Sequence, residues 1–290
     1  MTQKKKTPIL FIFMASVFLY HQSLAQQALD NVQYKFFYQY SWQFDTITYN
    51  DIREDLIILQ VGQNISKSFS YYTFQSDSLL ATSGGERILR QIASRVAIAR
   101  LENREPPKEF IRRRTPTKVY KNYPFGKVTV TDAISNNYYI YIDELHPQSW
   151  EILDSVKTIL DYPVQMAVSY FRGRSWTAWF APDIPISDGP WKLSGLPGLI
   201  MEAYDAKKHY SFNIVGIEKV DYEPIVFSPV VLSYGSFGKY EETNRIAFLR
   251  GLFRYLHNMP DIMNAQLGRD SFDSSSASNR PHDFIERDYR

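Results

Sequence analysis

The stretch Phe171–Asp205, FRGRSWTAWFAPDIPISDGPWKLSGLPGLIMEAYD, decides how this chain folds. It holds three of the five Trp and four of the fifteen Pro, so backbone punctuation and large rings are concentrated together. Gly reaches positive φ without steric penalty, and Pro fixes φ near about −65° while removing a donor. Alternating them with Trp and Leu prescribes a backbone path rather than a reaction. Gln165–Phe171 and Arg174–Ala181 flank Arg172-Gly173, the spacing of a tight β-hairpin. On the second strand Trp176, Ala178 and Phe180 share one face, and Ser175, Thr177 and Trp179 the other. Pro182 and Pro185 cannot donate to a ladder, so that strand ends at Ala181 and the chain runs extended to Asp188-Gly189-Pro190. Trp191-Lys192-Leu193 then crosses back, Pro197-Gly198 suits the central positions of a type II turn, and Leu199–Asp205 resumes as a strand.

Outward from this block the pattern stays β. In Gln33–Trp42, Tyr34, Phe36, Tyr38 and Tyr40 recur at period two, as in a half-buried strand. Asp51–Gln60, Ser66–Tyr71, Lys127–Thr131, Tyr138–Asp143 and His209–Val220 read as further strands between turn signals, which predicts antiparallel pairing. Glu86–Leu101 instead places apolar residues at i, i+4 spacing, the mark of an amphipathic helix, and residues 237–258 carry a second stripe at Leu249, Leu252, Phe253 and Leu256. The fold class expected is mainly β (α+β): a single large antiparallel sheet of about ten strands, or an open half-barrel, with two packed helices.

The first residues read as a secretory signal peptide. Lys4-Lys5-Lys6 precedes an uncharged run from Thr7 to Tyr20, then Ser23-Leu24-Ala25, which predicts cleavage after Ala25. As a membrane anchor the run is shorter than the ~20 residues a span needs. The expected organisation is therefore a signal peptide over 1–25, a β-rich domain over 26–265 and a mobile polar tail over 266–290, where Ser274–Ser278 shows no apolar period. Such a chain is expected in the periplasm or at the outer-membrane periphery of a Gram-negative bacterium, with no transmembrane segment after cleavage. It has no Cys, so disulfides, thiolate chemistry and an N-terminal lipid anchor on Cys are excluded. The whole chain carries 33 basic and 31 acidic residues; losing Lys4, Lys5 and Lys6 brings the balance to −1, which removes the electrostatic support for nucleic-acid binding.

The hexapeptide Gly195-Leu196-Pro197-Gly198-Leu199-Ile200 resembles the motif that names the GLPGLI family of exported bacterial proteins. The resemblance runs from about Tyr34 to His257 and is strongest in the central block. It implies an exported protein and brings no established activity. Many members carry a Cys shortly before the Arg-Gly-Arg element; here that neighbourhood is Tyr162-Pro163-Val164-Gln165, so no role of that Cys transfers.

Candidate site residues fall in two groups. Arg172, Arg174, Trp176, Trp179 and Trp191, with the Gly195–Ile200 turn, have the composition of a ligand or partner hot spot: two Arg around a hairpin turn beside indoles. The same residues also suit a folding role, with indoles in the sheet core and Arg paired to Asp183 or Asp188. The second group is Arg112-Arg113-Arg114, in a region, 87–121, with eleven Lys and Arg against three Glu. It reads as a patch for anionic lipid, lipopolysaccharide or polyanion, or as a solvated helix face and loop.

Catalytic and cofactor signatures are sparse. After cleavage the His are His146, His209, His257 and His282, without HxH or HExxH spacing, so no metal is expected; Asp183, Asp188, Glu202 and Asp205 near the central turn lack EF-hand spacing. Ser236-Phe237-Gly238-Lys239 fits S-x-x-K without the accompanying SDN or KTG, and there is no G-x-S-x-G, P-loop or G-x-G-x-x-G, so no cofactor is expected. Together these favour a non-catalytic envelope protein that binds an apolar ligand such as lipid, or an outer-membrane partner, through the concave side of the sheet. The alternative is an envelope hydrolase acting on glycan or peptide, which demands two carboxylates, or a Ser and a His, within reach in a cleft.

Overall fold

The computed structural model describes residues 28–43, 52–105, 113–145, 148–232, 236–259, 264 and 283–289. The signal peptide, Arg112, His146, His282 and residues 266–282 of the expected tail lie outside the described residues.

The chain enters as β1 (Ala28–Asn31), β2 (Tyr34–Gln43), β3 (Ile52–Val61) and β4 (Ser66–Ser70), followed by α1 (Tyr71–Leu80) and α2 (Gly85–Leu101). A second run of strands comprises β5 (Lys118–Lys121), β6 (Lys127–Ile134), β7 (Asn137–Glu144), β8 (Glu151–Ile159), β9 (Tyr162–Phe171) and β10 (Arg174–Ala181). After the central crossing come β11 (Leu199–Asp205), β12 (Tyr210–Lys219), β13 (Pro224–Val226), β14 (Val230–Val231), β15 (Phe237–Gly238), β16 (Glu241–Glu242) and α3 (Arg245–His257).

Twelve of these strands form one sheet in the order β16-β7-β6-β5-β4-β3-β2-β12-β11-β10-β9-β8. It consists of two antiparallel meanders, β2 to β7 and β8 to β12, joined along a β2–β12 seam that pairs Trp42 with Tyr210 and Tyr34 with Lys219. Period two decides its faces. Phe36, Tyr38 and Tyr40 are buried on β2, and Arg174, Trp176, Ala178 and Phe180 on β10, while the residues between them are at least partly exposed. The sheet curls without closing, enough for Arg172, in the β9–β10 turn, to reach Asp143 on β7 at 2.6 Å.

The mainly β class stands, with differences of detail. The sheet is mixed rather than purely antiparallel, because β16 pairs in parallel with β7, Glu241 opposite Tyr139. There are three helices rather than two among the described residues. The unforeseen α1 has no apolar stripe at helical spacing; it begins where the Ser70 hydroxyl accepts from the Thr73 amide. The second expected helix starts later, at Arg245 behind an Asn244 cap, and residues 237–242 form β15 and β16 instead. Although α2 forms as its periodicity predicts, it packs on α1, leaving Ile98 and Leu101 exposed.

The segment between β10 and β11 lies on the inner face. Trp191, Leu193 and Leu196 are buried there. The expected type II turn at Pro197-Gly198 is a tighter one, in which the Gly198 amide donates to the Leu196 carbonyl at 2.8 Å, an i to i+2 bond. The constraint on Gly198 is contact: a Cβ there would sit 2.2 Å from the Ala181 carbonyl oxygen.

The mobile-tail expectation fails over residues 283–289, where Phe284 and Tyr289 belong to the core. The Ser-rich run before them concealed a short amphipathic segment, DFIERDY, whose apolar residues have a surface to cover.

Two glycine substitutions separate these causes. Gly198→Ala should destabilise the fold by about 3 kcal/mol or more, because backbone must move. Gly126→Ala, at φ 73° with nothing within 4 Å, should cost only the ~1 kcal/mol of a left-handed residue. Equal midpoints for the two variants in urea would refute the crowding argument at Gly198.

Candidate functional site

The β9–β10 connection is a two-residue turn with positive φ at both positions, Arg172 at 53° and Gly173 at 78°, the requirement of a type I′ hairpin. It sets Arg172 at the tip and sends Arg174 to the inner face, one residue into β10. Arg174 is 2% exposed and spreads its fork over several acceptors. It donates to Asp205, at the end of β11, at 2.8 Å, to Asp283 at 2.8 Å, and to the carbonyls of Phe284 and Ile285 at 3.2 and 3.0 Å. Lys192, from the crossing, lies between Asp143 at 3.2 Å and Glu286. Arg245, at the start of α3, reaches Glu286 at 2.8 Å and Asp288 at 2.7 Å. Four cations from β9–β10, the crossing and α3 thus converge on acids from β7, β11 and the segment 283–289.

The electrostatics follow from this pairing. Burial acts to raise the Asp283 carboxyl, but hydrogen bonds from Arg287, His209 and Arg174 outweigh it and hold the group well below the ordinary carboxylate range. Asp143 is lowered likewise: Lys192 and Arg172 overcome its desolvation. Asp288 follows, with Arg245 and Arg172 as the opposing cations.

Beside the cluster lies a cavity of about 340 Å³ on the inner face, beneath α3 and residues 284–286. Its floor is a row of rings across the seam, where Tyr40 stacks on Phe212 at 4.5 Å and on Trp42 at 4.7 Å. Phe248 and Phe284 close it from above, and Trp191 stands at one end. Asp132 and Glu286 are the carboxylates on its wall. Burial pushes the Asp132 carboxyl up to about 6, against hydrogen bonds from the Thr117 hydroxyl and the Ala133 amide.

The residues singled out from sequence divide between these features. Arg172 and Arg174 lie in the cluster, yet their partners are Asp143, Asp205 and residues 283–288, not Asp183 or Asp188. Asp188 is instead bound by Lys121. Trp176 is buried and packs on Trp191, ring centroids 5.8 Å apart; Trp179 lies on the other face under the Lys157 ammonium, 4.4 Å from its ring. Leu196, Leu199 and Ile200 of the hexapeptide are buried, and the Ile200 carbonyl accepts from the Tyr38 hydroxyl at 2.8 Å. In the basic region, Arg113 is held by Asp77 and the Tyr138 hydroxyl, and the Arg114 guanidinium sits 4.2 Å over the Tyr72 ring. Sequence reasoning missed Asp143, Lys192, Arg245, Asp283 and Glu286. Only the last two lie in a stretch with a local hint, the acids of DFIERDY interspersed with Phe284, Ile285 and Tyr289.

Arg174→Ala should lower stability by about 3–5 kcal/mol, because it leaves the buried Asp205 carboxylate without a cation, with only the Tyr210 amide still donating to it. A thermal midpoint within error of the parent would refute that weight. The carboxyls of Asp283, Asp143 and Asp288 titrate lower in the folded state than unfolded. Their contribution is therefore present above about pH 4 and is lost as pH falls through the lowered values. The protection factors of the amides at residues 284–289, taken relative to intrinsic exchange at each pH, should fall on acidification before those of the β2–β12 seam; simultaneous loss would contradict this.

A family model described as "Protein of unknown function (Porph_ging)" matches residues 172–202, the stretch that supplies Arg172, Arg174 and Lys192. No curated protein matches the chain. Among solved structures it is similar to PNGF-II in two crystal forms. The P21 form has a TM-score of 0.49 at 13% identity, covering 78% of this chain and 34% of that one. The C2 form has a TM-score of 0.47 at 13% identity, covering 78% and 33%. The chain thus spans about a third of the length of the structures it matches.

Proposed function

We propose that this is an exported cell-envelope protein of the GLPGLI type that binds an apolar ligand without transforming it, in the inner-face cavity of an open half-barrel. The observation that carries this reading is the cavity itself. Its volume of about 340 Å³ falls in the range of small-molecule sites, and its walls are chiefly aromatic and aliphatic, with Arg53, Arg114, Asp132 and Glu286 as the charged residues among them. Export rests on Lys4–Lys6 and the uncharged run behind them. Among the described residues no helix is long and apolar enough to cross a membrane. An acyl chain or another slender apolar group matches a slot floored by stacked rings, and the envelope supplies such groups in quantity.

A second reading is hydrolysis of glycan or peptide, and Asp132 is what favours it. A carboxyl raised to about 6 on a cavity wall is the kind of group that serves as a general acid, and Glu286 is a second carboxylate on that wall. Yet Glu286 is engaged by Lys192 and Arg245, which ties it to structure.

Native mass spectrometry of the protein from envelope fractions should show an adduct with the mass of a lipid, released by organic solvent. Leu252→Trp, which fills the cavity, should reduce its occupancy about tenfold or more. Protein free of any adduct, or occupancy indifferent to Leu252→Trp, would count decisively against the binding reading. For Asp132 the sign is opposite to that of the paired acids. Its folded carboxyl titrates above its unfolded value of 3.8, so the parent should lose stability as pH rises from about 4 to 6. Asp132→Asn should not; parallel pH–stability curves would remove the raised carboxyl, and with it the second reading.

A further inference from the structure

Asp283–Tyr289 has no regular secondary structure, and side chains from elsewhere in the fold hold it in place. Arg174 binds the carbonyls of Phe284 and Ile285, Arg250 that of Tyr289 at 3.0 Å, and the Tyr210 hydroxyl that of Asp283. One main-chain bond, from the Arg287 amide to the Arg172 carbonyl at 2.8 Å, fixes its register. A Cβ on Gly173 would come within 2.8 Å of the Arg287 Cβ, so the hairpin tip is shaped to let this segment pass. Phe284 and Tyr289 pack their rings against Phe253 of α3, centroids 6.4 and 6.3 Å away. Main-chain capture, alternating charge contacts and apolar anchors are how proteins hold extended peptides.

The groove keeps its own charge pairs without the segment. Arg172 and Lys192 share Asp143, Arg245 stands 3.8 Å from the same carboxylate, and Arg174 has Asp205. With Arg250, five cations face two acids, a surplus of positive charge. On the segment, Asp283, Glu286 and Asp288 against Arg287 leave two negative charges, of the sign that this surplus attracts.

We propose that this groove is a recognition site for an extended acidic–aromatic peptide, that residues 283–289 occupy it in cis, and that a second copy of the chain supplies the same segment in trans. Exchange between copies conserves every contact, which makes it an inexpensive route to a dimer. Residues 258–282 separate the segment from α3; a chain of that length spans up to ~80 Å when extended, against a radius of gyration of ~19 Å for a domain of this size. Because Phe284, Ile285 and Glu286 also wall the cavity, departure of the segment opens it. That coupling rests on the cavity reading; the peptide site does not.

The test uses two full-length variants. One, Asp283→Ala/Glu286→Ala/Asp288→Ala, keeps the groove and loses the occupant; the other, Arg172→Ala/Arg245→Ala, weakens the groove and keeps the segment. A synthetic peptide of residues 281–290 should bind the first variant saturably at micromolar concentration. A scrambled peptide, or combining the groove substitutions with the first variant, should weaken that binding about tenfold or more. Mixing the two variants should give a one-to-one complex by size-exclusion chromatography with light scattering, while each alone stays a monomer. Absence of saturable binding, equal binding of the scrambled peptide, or loss of the cooperative thermal transition in the first variant would each overturn the peptide site. Peptide binding without a mixed complex would overturn the second copy as its source. None of these readouts depends on an apolar ligand, so failure of the cavity reading leaves them interpretable.

Discussion

The structure depends on hydrogen-bonding irregular backbone inside a sheet. Residues 182–198 carry four Pro and run through the inner face, where each unpaired carbonyl or amide would cost as much as a lost hydrogen bond. Side chains from the first meander and from the β7–β8 connection meet that demand. The Lys121 ammonium on β5 binds the carbonyls of Gly189 and Leu193 as well as Asp188. The Gln148 side-chain amide donates to the Lys192 carbonyl and its oxygen accepts from the Ser194 amide, while the Trp150 indole N–H donates to the Ser194 carbonyl. On β4 the Ser68 hydroxyl receives the Trp191 amide. The crossing is therefore the fastener between the halves of the sheet, and the hexapeptide is where its path is tightest.

Charge is buried on the same terms. Arg174 and Asp205 would be costly singly inside the sheet, but each has several partners. The planar guanidinium suits this position because its donors point to Asp205 and to the 284–285 backbone simultaneously, which a single ammonium could not do. Lys192 works differently, as a point charge between Asp143 and Glu286. Packing and electrostatics are thus one arrangement: the rings of Phe284 and Tyr289 are positioned by the acids beside them, and close the aromatic cavity as a result.

Much of the architecture was legible in the chain. Alternation in β2, β10, β11 and β12 identified the strands and sorted their residues onto two faces, because period two leaves few alternatives. The hairpin at Arg172-Gly173 was equally plain. What was hidden depended on distance. The acids meeting Arg172 and Arg174 come from residue 143, residue 205 and the 280s, and no local pattern joins them. Asp183 and Asp188 were nearer in sequence but not in space. The α1 helix escaped because a cap and its packing on β3 and β4 support it rather than its own periodicity. Residues 283–289 escaped because seven residues are too few to establish a period, and Ser274–Ser278 before them set the tone of the segment.

The seam between β2 and β12 has a consequence for how the chain comes to its shape. Trp42 faces Tyr210 and Tyr34 faces Lys219, so strands at opposite ends of the sequence complete one ladder. Until β12 has been synthesised, β2 has an open edge, and the aromatic floor made by Tyr40 and Phe212 has only one side. Long-range closure of this kind slows folding, since loop entropy is lost before the contacts that compensate it are gained. The ladder that carries the aromatic floor is thus among the last parts of the sheet that the growing chain can complete, and until then the free edge of β2 is open to pairing with another strand.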